Sequence, residues 1–128
     1  MKSSVKKRWL DALRSGKYKQ GKGNLMDANP VGDGPARFCC LGVLCDLHSR
    51  STRKAKWNYD KFIPLYLRND SFLPPEVVKW AGLDGNVNDE NDVVLRKANG
   101  EALKDTLSEA NDGGKRFTGI ATLIEKYL

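Results

Sequence analysis

Residues 38–49 read FCCLGVLCDLHS, and the spacing of their apolar side chains decides the fold. Cys40, Val43, Leu44 and Leu47 recur at helical intervals, and Leu41, Cys45 and His48 form a second stripe beside the first. A helix that is apolar on both flanks must be covered on both flanks, so this segment is expected to be a central helix with other elements packed around it.

Working outward, the upstream segment SSVKKRWLDALRSG reads as a helix: Ser3 or Ser4 is placed to cap it, Val5, Trp9, Ala12 and Leu13 share one face, and Gly16 ends it. Residues 17–37, KYKQGKGNLMDANPVGDGPAR, are rich in glycine, proline and asparagine and are expected to form short extended pieces joined by turns. Downstream, residues 50–61 read as an exposed loop or edge strand around Trp57 and Tyr59, followed by a strand at 62–67. Leu73-Pro74-Pro75 opens a short helix through Trp80 that Gly82 stops. Val93 to Lys97 reads as a strand before the turn pair Asn99-Gly100, and Leu103, Leu107 and Ala110 as a helix face. Asn111-Asp112-Gly113-Gly114 breaks that helix, and Phe117, Ile120, Ala121 and Ile124 form the stripe of a last one. The expected class is α+β: a single domain over 1–128, with a small antiparallel sheet from residues near 18–38 and 62–97 covered by about four helices.

Composition narrows the function classes. The 128 residues suffice for one core. No run approaches the roughly 20 apolar residues of a membrane span, and the start, MKSSVKKRWLDAL, lacks the apolar stretch of a secretory signal. Cys39, Cys40 and Cys45 are an odd number within an apolar segment, which points to reduced, buried thiols and a cytoplasmic protein without membrane partners. The net charge of +6 is unevenly placed: residues 1–22 hold eight basic side chains against Asp11 alone, so the remainder carries −1. Residues 84–112 hold eight acids against Arg96, Lys97 and Lys104, a local −5. This polarity suggests an anionic partner facing the N-terminal third.

Four blocks, SGKYKQGKGNL, FCCLGVLCDL, LPPEVVKWAGL and EANDGGKRFTGIATLIEKYL, in that order together resemble a family of short proteins met in bacteriophage and prophage genomes, with the likeness running from Trp9 to Leu128. The resemblance implies a phage setting, hence the cytoplasm of an infected bacterium, and no particular chemistry. In size and polarity the chain also looks like phage sponges that trap cyclic nucleotides or ADP-ribose-type immune signals. That likeness is one of genre.

The residues expected to bind such a ligand begin with Lys17, Tyr18, Lys19, Gln20 and Lys22, where lysines supply charge, glycines let backbone N–H groups approach a phosphate and Tyr18 offers a ring face. Arg37 before the central helix and Arg116 before the last helix are candidate phosphate clamps, and Asn111 and Asp112 candidate partners for ribose hydroxyls or a base edge. Each has a plainer explanation as a loop, turn or surface residue. Cys39 or Cys40 at a helix start suggests a nucleophile, but His48 follows two turns later, roughly 12 Å along the axis and out of reach. Cys45 and His48 lack two further ligands for zinc, and Asp89, Glu90 and Asp92 read as an exposed acidic loop. Trp57 and Tyr59 among Arg53, Lys54 and Lys56 resemble a stacking platform in a basic groove.

The reading that follows is a non-enzymatic binder of an anionic nucleotide-type small molecule, with no cofactor and no metal. A chain this small has little depth for a pocket, so a site shared within a homo-oligomer is expected. The alternatives are a nucleic-acid-binding accessory protein and an inhibitor that docks on a host protein.

Overall fold

The segment that is apolar on both flanks forms helix α2 (Cys40–Ser51), with Cys40 through Cys45, Leu47 and His48 all buried. Residues 1–28 and 34–128 of the chain are described by the computed structural model. Helix α1 (Ser3–Arg14) lays Val5, Trp9, Leu10 and Leu13 into the core, while its lysines face outward. Trp9 is fully buried, and its indole Nε1–H donates to the Cys40 carbonyl at 3.0 Å, tying α1 to the first residue of α2. Ser3 and Ser4 do not cap α1. The N-cap is Lys2, and its backbone N–H donates to the Ala81 carbonyl at 2.9 Å, so the helix start is held by a distant helix end.

Helix α3 (Pro75–Ala81) begins on its proline and ends at Gly82 in the left-handed region (φ 70°), as the sequence predicts. Helix α4 (Leu107–Asp112) is shorter than the expected face, because Leu103 lies outside it in an extended stretch. A capping box between Thr106 and Glu109 fixes its start. Helix α5 (Phe117–Tyr127) buries the expected stripe of Phe117, Ile120, Ala121 and Ile124 and packs on α1 and α4.

The class is α+β, but the strands form two small sheets. Strands β1 (Lys19–Gln20), β2 (Met26–Asp27) and β3 (Arg37–Phe38) pair in the order β1-β3-β2, with β1 parallel to β3 and β2 antiparallel to it. Strands β4 (Trp57–Asp60) and β5 (Ile63–Tyr66) form a separate antiparallel hairpin. The expected strand at 93–97 forms only isolated bridges, Val87 to Val93 and Arg96 to Ala102, around the Asn99-Gly100 turn. The backbone there pairs locally instead, with Val93 accepting from the Leu107 N–H at 2.9 Å, Leu95 from the Leu103 N–H at 2.8 Å and the Lys97 N–H donating to the Glu101 carbonyl at 2.8 Å. The buried Asp92 carboxylate accepts from Thr106 and Ser108 beside it. Asp92 is therefore a structural hub and no part of an exposed acidic loop.

One contact sets the position of the basic N-terminal loop. A Cβ on Gly42, in the first turn of α2, would lie 1.7 Å from the Leu25 carbonyl oxygen. Glycine lets the 21–27 segment lie directly on the helix backbone, where Leu25 is fully buried and accepts from the Cys39 N–H at 3.3 Å.

Candidate functional site

A cleft of about 520 Å³ opens where the end of α1, strand β1, strand β3 and the middle of α2 meet. Lys17, Tyr18 and Lys19 line it together with Asp46, Leu47 and Arg50 of α2. Ala36 and Phe38 supply the apolar lining, and Asp11, Ala12 and Ser15 close the α1 side. The volume lies within the range of pockets that hold a small organic ligand.

Asp46 organises this cleft. The Tyr18 hydroxyl donates to its Oδ2 at 2.5 Å, Arg50 Nε–H donates to the same oxygen at 2.9 Å, and Trp57 Nε1–H donates to Oδ1 at 3.1 Å. Both carboxylate oxygens are thus occupied, and the Arg50 charge balances the Asp46 charge. Burial, followed by the bond to Asp46 and its negative charge, pushes the Tyr18 hydroxyl up to about 12, so at neutral pH it remains a donor. The Tyr18 ring meets Phe38 edge-on at 5.2 Å between centroids, and Phe38 meets Trp57 at 6.0 Å.

The charge balance leaves two cations available. Lys7 pairs with Asp11 at 2.9 Å and Arg14 with Glu125 at 3.2 Å, while Arg8 donates to Ser51 and Lys6 to the Glu125 carbonyl. Half of the eight N-terminal basic side chains are therefore committed to intramolecular contacts. Among the described residues, neither Lys17 nor Lys19 has a carboxylate partner, and Arg50 gives only its Nε–H to Asp46.

The other expected ligand-binding residues do not line this cleft. Asn111 is fully buried, and its Oδ1 accepts from the Cys40 N–H at 3.2 Å and from Gln20 Nε2 at 2.9 Å. Its Nδ2 donates to the Gly21 carbonyl at 2.9 Å and to Asp112 Oδ1 at 3.2 Å. Gln20 also donates to the Lys115 carbonyl at 2.8 Å and accepts from the Phe117 N–H at 3.0 Å, and Asp112 accepts from the Gly23 N–H at 3.0 Å. Gln20, Asn111 and Asp112 thus form a polar latch that pins strand β1 between the start of α2 and the start of α5. Arg37 is exposed on β3, in register with Lys19, and its guanidinium lies 3.4 Å from the Gln20 carbonyl. Lys22 is exposed beyond β1, and exposed Arg116 is the N-cap of α5.

A family model described as a domain of unknown function, DUF8296, matches residues 1–128. The chain belongs to the DUF8296 family. No curated protein and no solved structure matches it.

In this DUF8296 chain the thiols give no support to nucleophilic chemistry. Cys39 is buried, and its Sγ accepts from the Gly42 N–H at 3.4 Å, which makes it the N-cap of α2. Burial pushes the Cys39 thiol up to about 11, against the lowering expected at a helix start, and pushes Cys40 and Cys45 up as well. The side chain of His48 points the other way: its Nδ1 lies 2.6 Å from the Tyr66 hydroxyl, and its ring packs on Trp80. Burial holds the imidazole below its usual value. Among the described residues no cluster of three or more His, Cys, Asp or Glu side chains is arranged to hold a metal ion, and no helix is long and apolar enough to cross a membrane.

Proposed function

We propose that this protein is a non-enzymatic binder that sequesters an anionic nucleotide-type small molecule, such as a cyclic nucleotide or an ADP-ribose derivative, in the cytoplasm of a phage-infected bacterium. One observation carries the reading: Lys17 and Lys19, without carboxylate partners among the described residues, line a cleft together with Tyr18, Phe38 and Arg50. Phosphate oxygens pair with Lys17 and Lys19, and a sugar or base packs against Phe38, Ala36 and Leu47. Asp46, saturated by three donors, serves as the hub that sets Tyr18 and Arg50 in place. The rim is exposed at Lys17, Lys19 and Pro35, which suits closure by a second copy in a homo-oligomer.

A thermal-shift panel of cyclic AMP, cyclic di-GMP and ADP-ribose tests the proposal. A ligand held at a hundredfold excess over its Kd stabilises the fold by about 2.7 kcal/mol. With an unfolding entropy of about 2.1 cal/mol/K per residue, that raises the Tm by about 10 °C. No shift with any of the three at millimolar concentration removes this ligand class. Sedimentation velocity with and without the stabilising compound reads the subunit number, and a monomer in both conditions removes the shared site.

A further inference from the structure

The β4–β5 hairpin carries a second basic surface that the cleft does not use. A groove of about 690 Å³ runs along it, lined by Lys54, Lys56 and Arg68 together with Trp57 and Tyr59. Residues 53–68 hold Arg53, Lys54, Lys56, Lys61 and Arg68 against Asp60 alone, a local +4. All five cations are exposed, and among the described residues none has a carboxylate within ion-pairing distance. Tyr59 is 58 % exposed, and Phe62 and Ile63 at the hairpin tip are 72 % and 49 % exposed, the large apolar side chains left in solvent among the described residues. Trp57 is half-buried, anchored by its bond to Asp46 and packed on Tyr66 at 5.0 Å, so it forms a fixed wall.

The backbone holds this groove in an unusual way. Leu67 (φ 45°) and Arg68 (φ 71°) are the two central residues of a tight turn closed by Tyr66 and Asn69, with bonds of 2.8 and 2.9 Å in both directions. Such a turn normally takes Asn-Gly or Gly-Gly, because both central residues need positive φ. Here a leucine and an arginine occupy those positions. Leu67 packs against the core, whereas Arg68 is exposed and lines the groove.

We propose that this groove binds single-stranded nucleic acid, with phosphates on Lys54, Lys56 and Arg68 and a base stacked on Tyr59. A concave channel that places cations beside an exposed ring matches a polymer whose charges and flat faces alternate. A duplex keeps its base faces stacked internally, and a bilayer surface cannot enter a channel, so an unpaired strand fits best.

The test is fluorescence anisotropy of the full chain with a short labelled oligothymidylate. The expected result is saturable binding that weakens with salt, log K falling against log salt with a slope of about −2 for three phosphate contacts. Lys54→Glu with Lys56→Glu flattens that slope and lowers affinity at least about tenfold. Tyr59→Ala lowers affinity about tenfold or more, as loss of a stacked base does, and leaves the slope unchanged. Arg68→Gly separates binding from folding: it relieves the positive-φ cost, so the Tm holds or rises while affinity falls. Lys17→Glu, in the cleft, leaves oligothymidylate affinity unchanged, so a failed cleft does not disguise a working groove. The proposal is overturned by absent binding, by tighter binding to a duplex of equal length, by binding to phosphatidylserine vesicles in place of the oligonucleotide, or by affinity indifferent to all of the groove variants.

Discussion

Replacing Asn111 by alanine removes the centre of the latch that holds the basic loop, and its cost can be worked from the partners left behind. The Cys40 N–H, buried at the start of α2, loses its acceptor, and an unsatisfied buried donor costs about 1–3 kcal/mol. The Gly21 carbonyl lies nearer solvent and regains water, so its lost bond costs about 1 kcal/mol. Gln20 keeps Lys115 and Phe117 as partners. The sum is about 2–4 kcal/mol, which at about 2.1 cal/mol/K of unfolding entropy per residue lowers the Tm by about 7–15 °C. Differential scanning calorimetry reads this directly, with Asp112→Ala as the control. Asp112 is exposed and its Gly23 donor can turn to water, so that change costs about 1 kcal/mol or less. Amide exchange supplies a second readout: the Gly21 N–H, bonded to the Phe38 carbonyl at 2.7 Å, exchanges faster in Asn111→Ala as β1 loosens. An Asn111→Ala protein that melts within 3 °C of wild type, or no lower than Asp112→Ala, refutes the latch.

Gly42→Ala drives a methyl group into the Leu25 backbone and is expected to abolish folded expression or cost more than about 3 kcal/mol, measured by urea unfolding; a mild effect contradicts the close approach. Stability is expected to be bounded by pH on both sides. His48 is held below its usual value, so its contribution is complete above about 6.5 and declines as the pH falls toward the folded value, whereas Tyr18, raised to about 12, contributes fully below 10 and loses that contribution as the pH climbs through about 12. Unfolding midpoints across pH, compared with His48→Gln and Tyr18→Phe proteins that flatten the respective limbs, check the assignment. All three thiols are expected to resist a thiol reagent in the native protein and to react together on unfolding, because each is buried and raised; rapid native labelling of Cys39 contradicts this.

How much of this was legible in the sequence depends on the range of the interaction. The central helix was readable because burial on both sides leaves a periodic trace in residues 40–48, and the α3 boundaries because Pro75 and Gly82 act locally. Lys17, Tyr18 and Lys19 were readable as a cluster because they are neighbours in the chain. Asp46 and Arg50, which complete the cleft, escaped notice: Asp46 lies on the helix that pattern analysis assigns to the core and is matched by Tyr18, 28 residues away, and Trp57, while Arg50 falls in the stretch read as an exposed loop although α2 runs on to Ser51. An Asp and Arg at i, i+4 beside an apolar stripe was the available signal. Asn111 reads locally as a turn former, while its actual partners, Gln20 and Gly21, stand 91 and 90 residues distant. The turn after β5 had no local signal, since Leu67 and Arg68 adopt positive φ without a glycine to announce it.

Isothermal titration calorimetry of the best-stabilising compound among cyclic AMP, cyclic di-GMP and ADP-ribose tests the cleft most directly. Charge-assisted bonds to a phosphate contribute about 1.5–3 kcal/mol each, so Lys17→Glu and Lys19→Glu each weaken binding at least about tenfold. Arg116→Glu, outside the cleft, leaves it unchanged. Wild-type affinity in the Lys17→Glu, Lys19→Glu double variant contradicts the assignment of this cleft as the binding site.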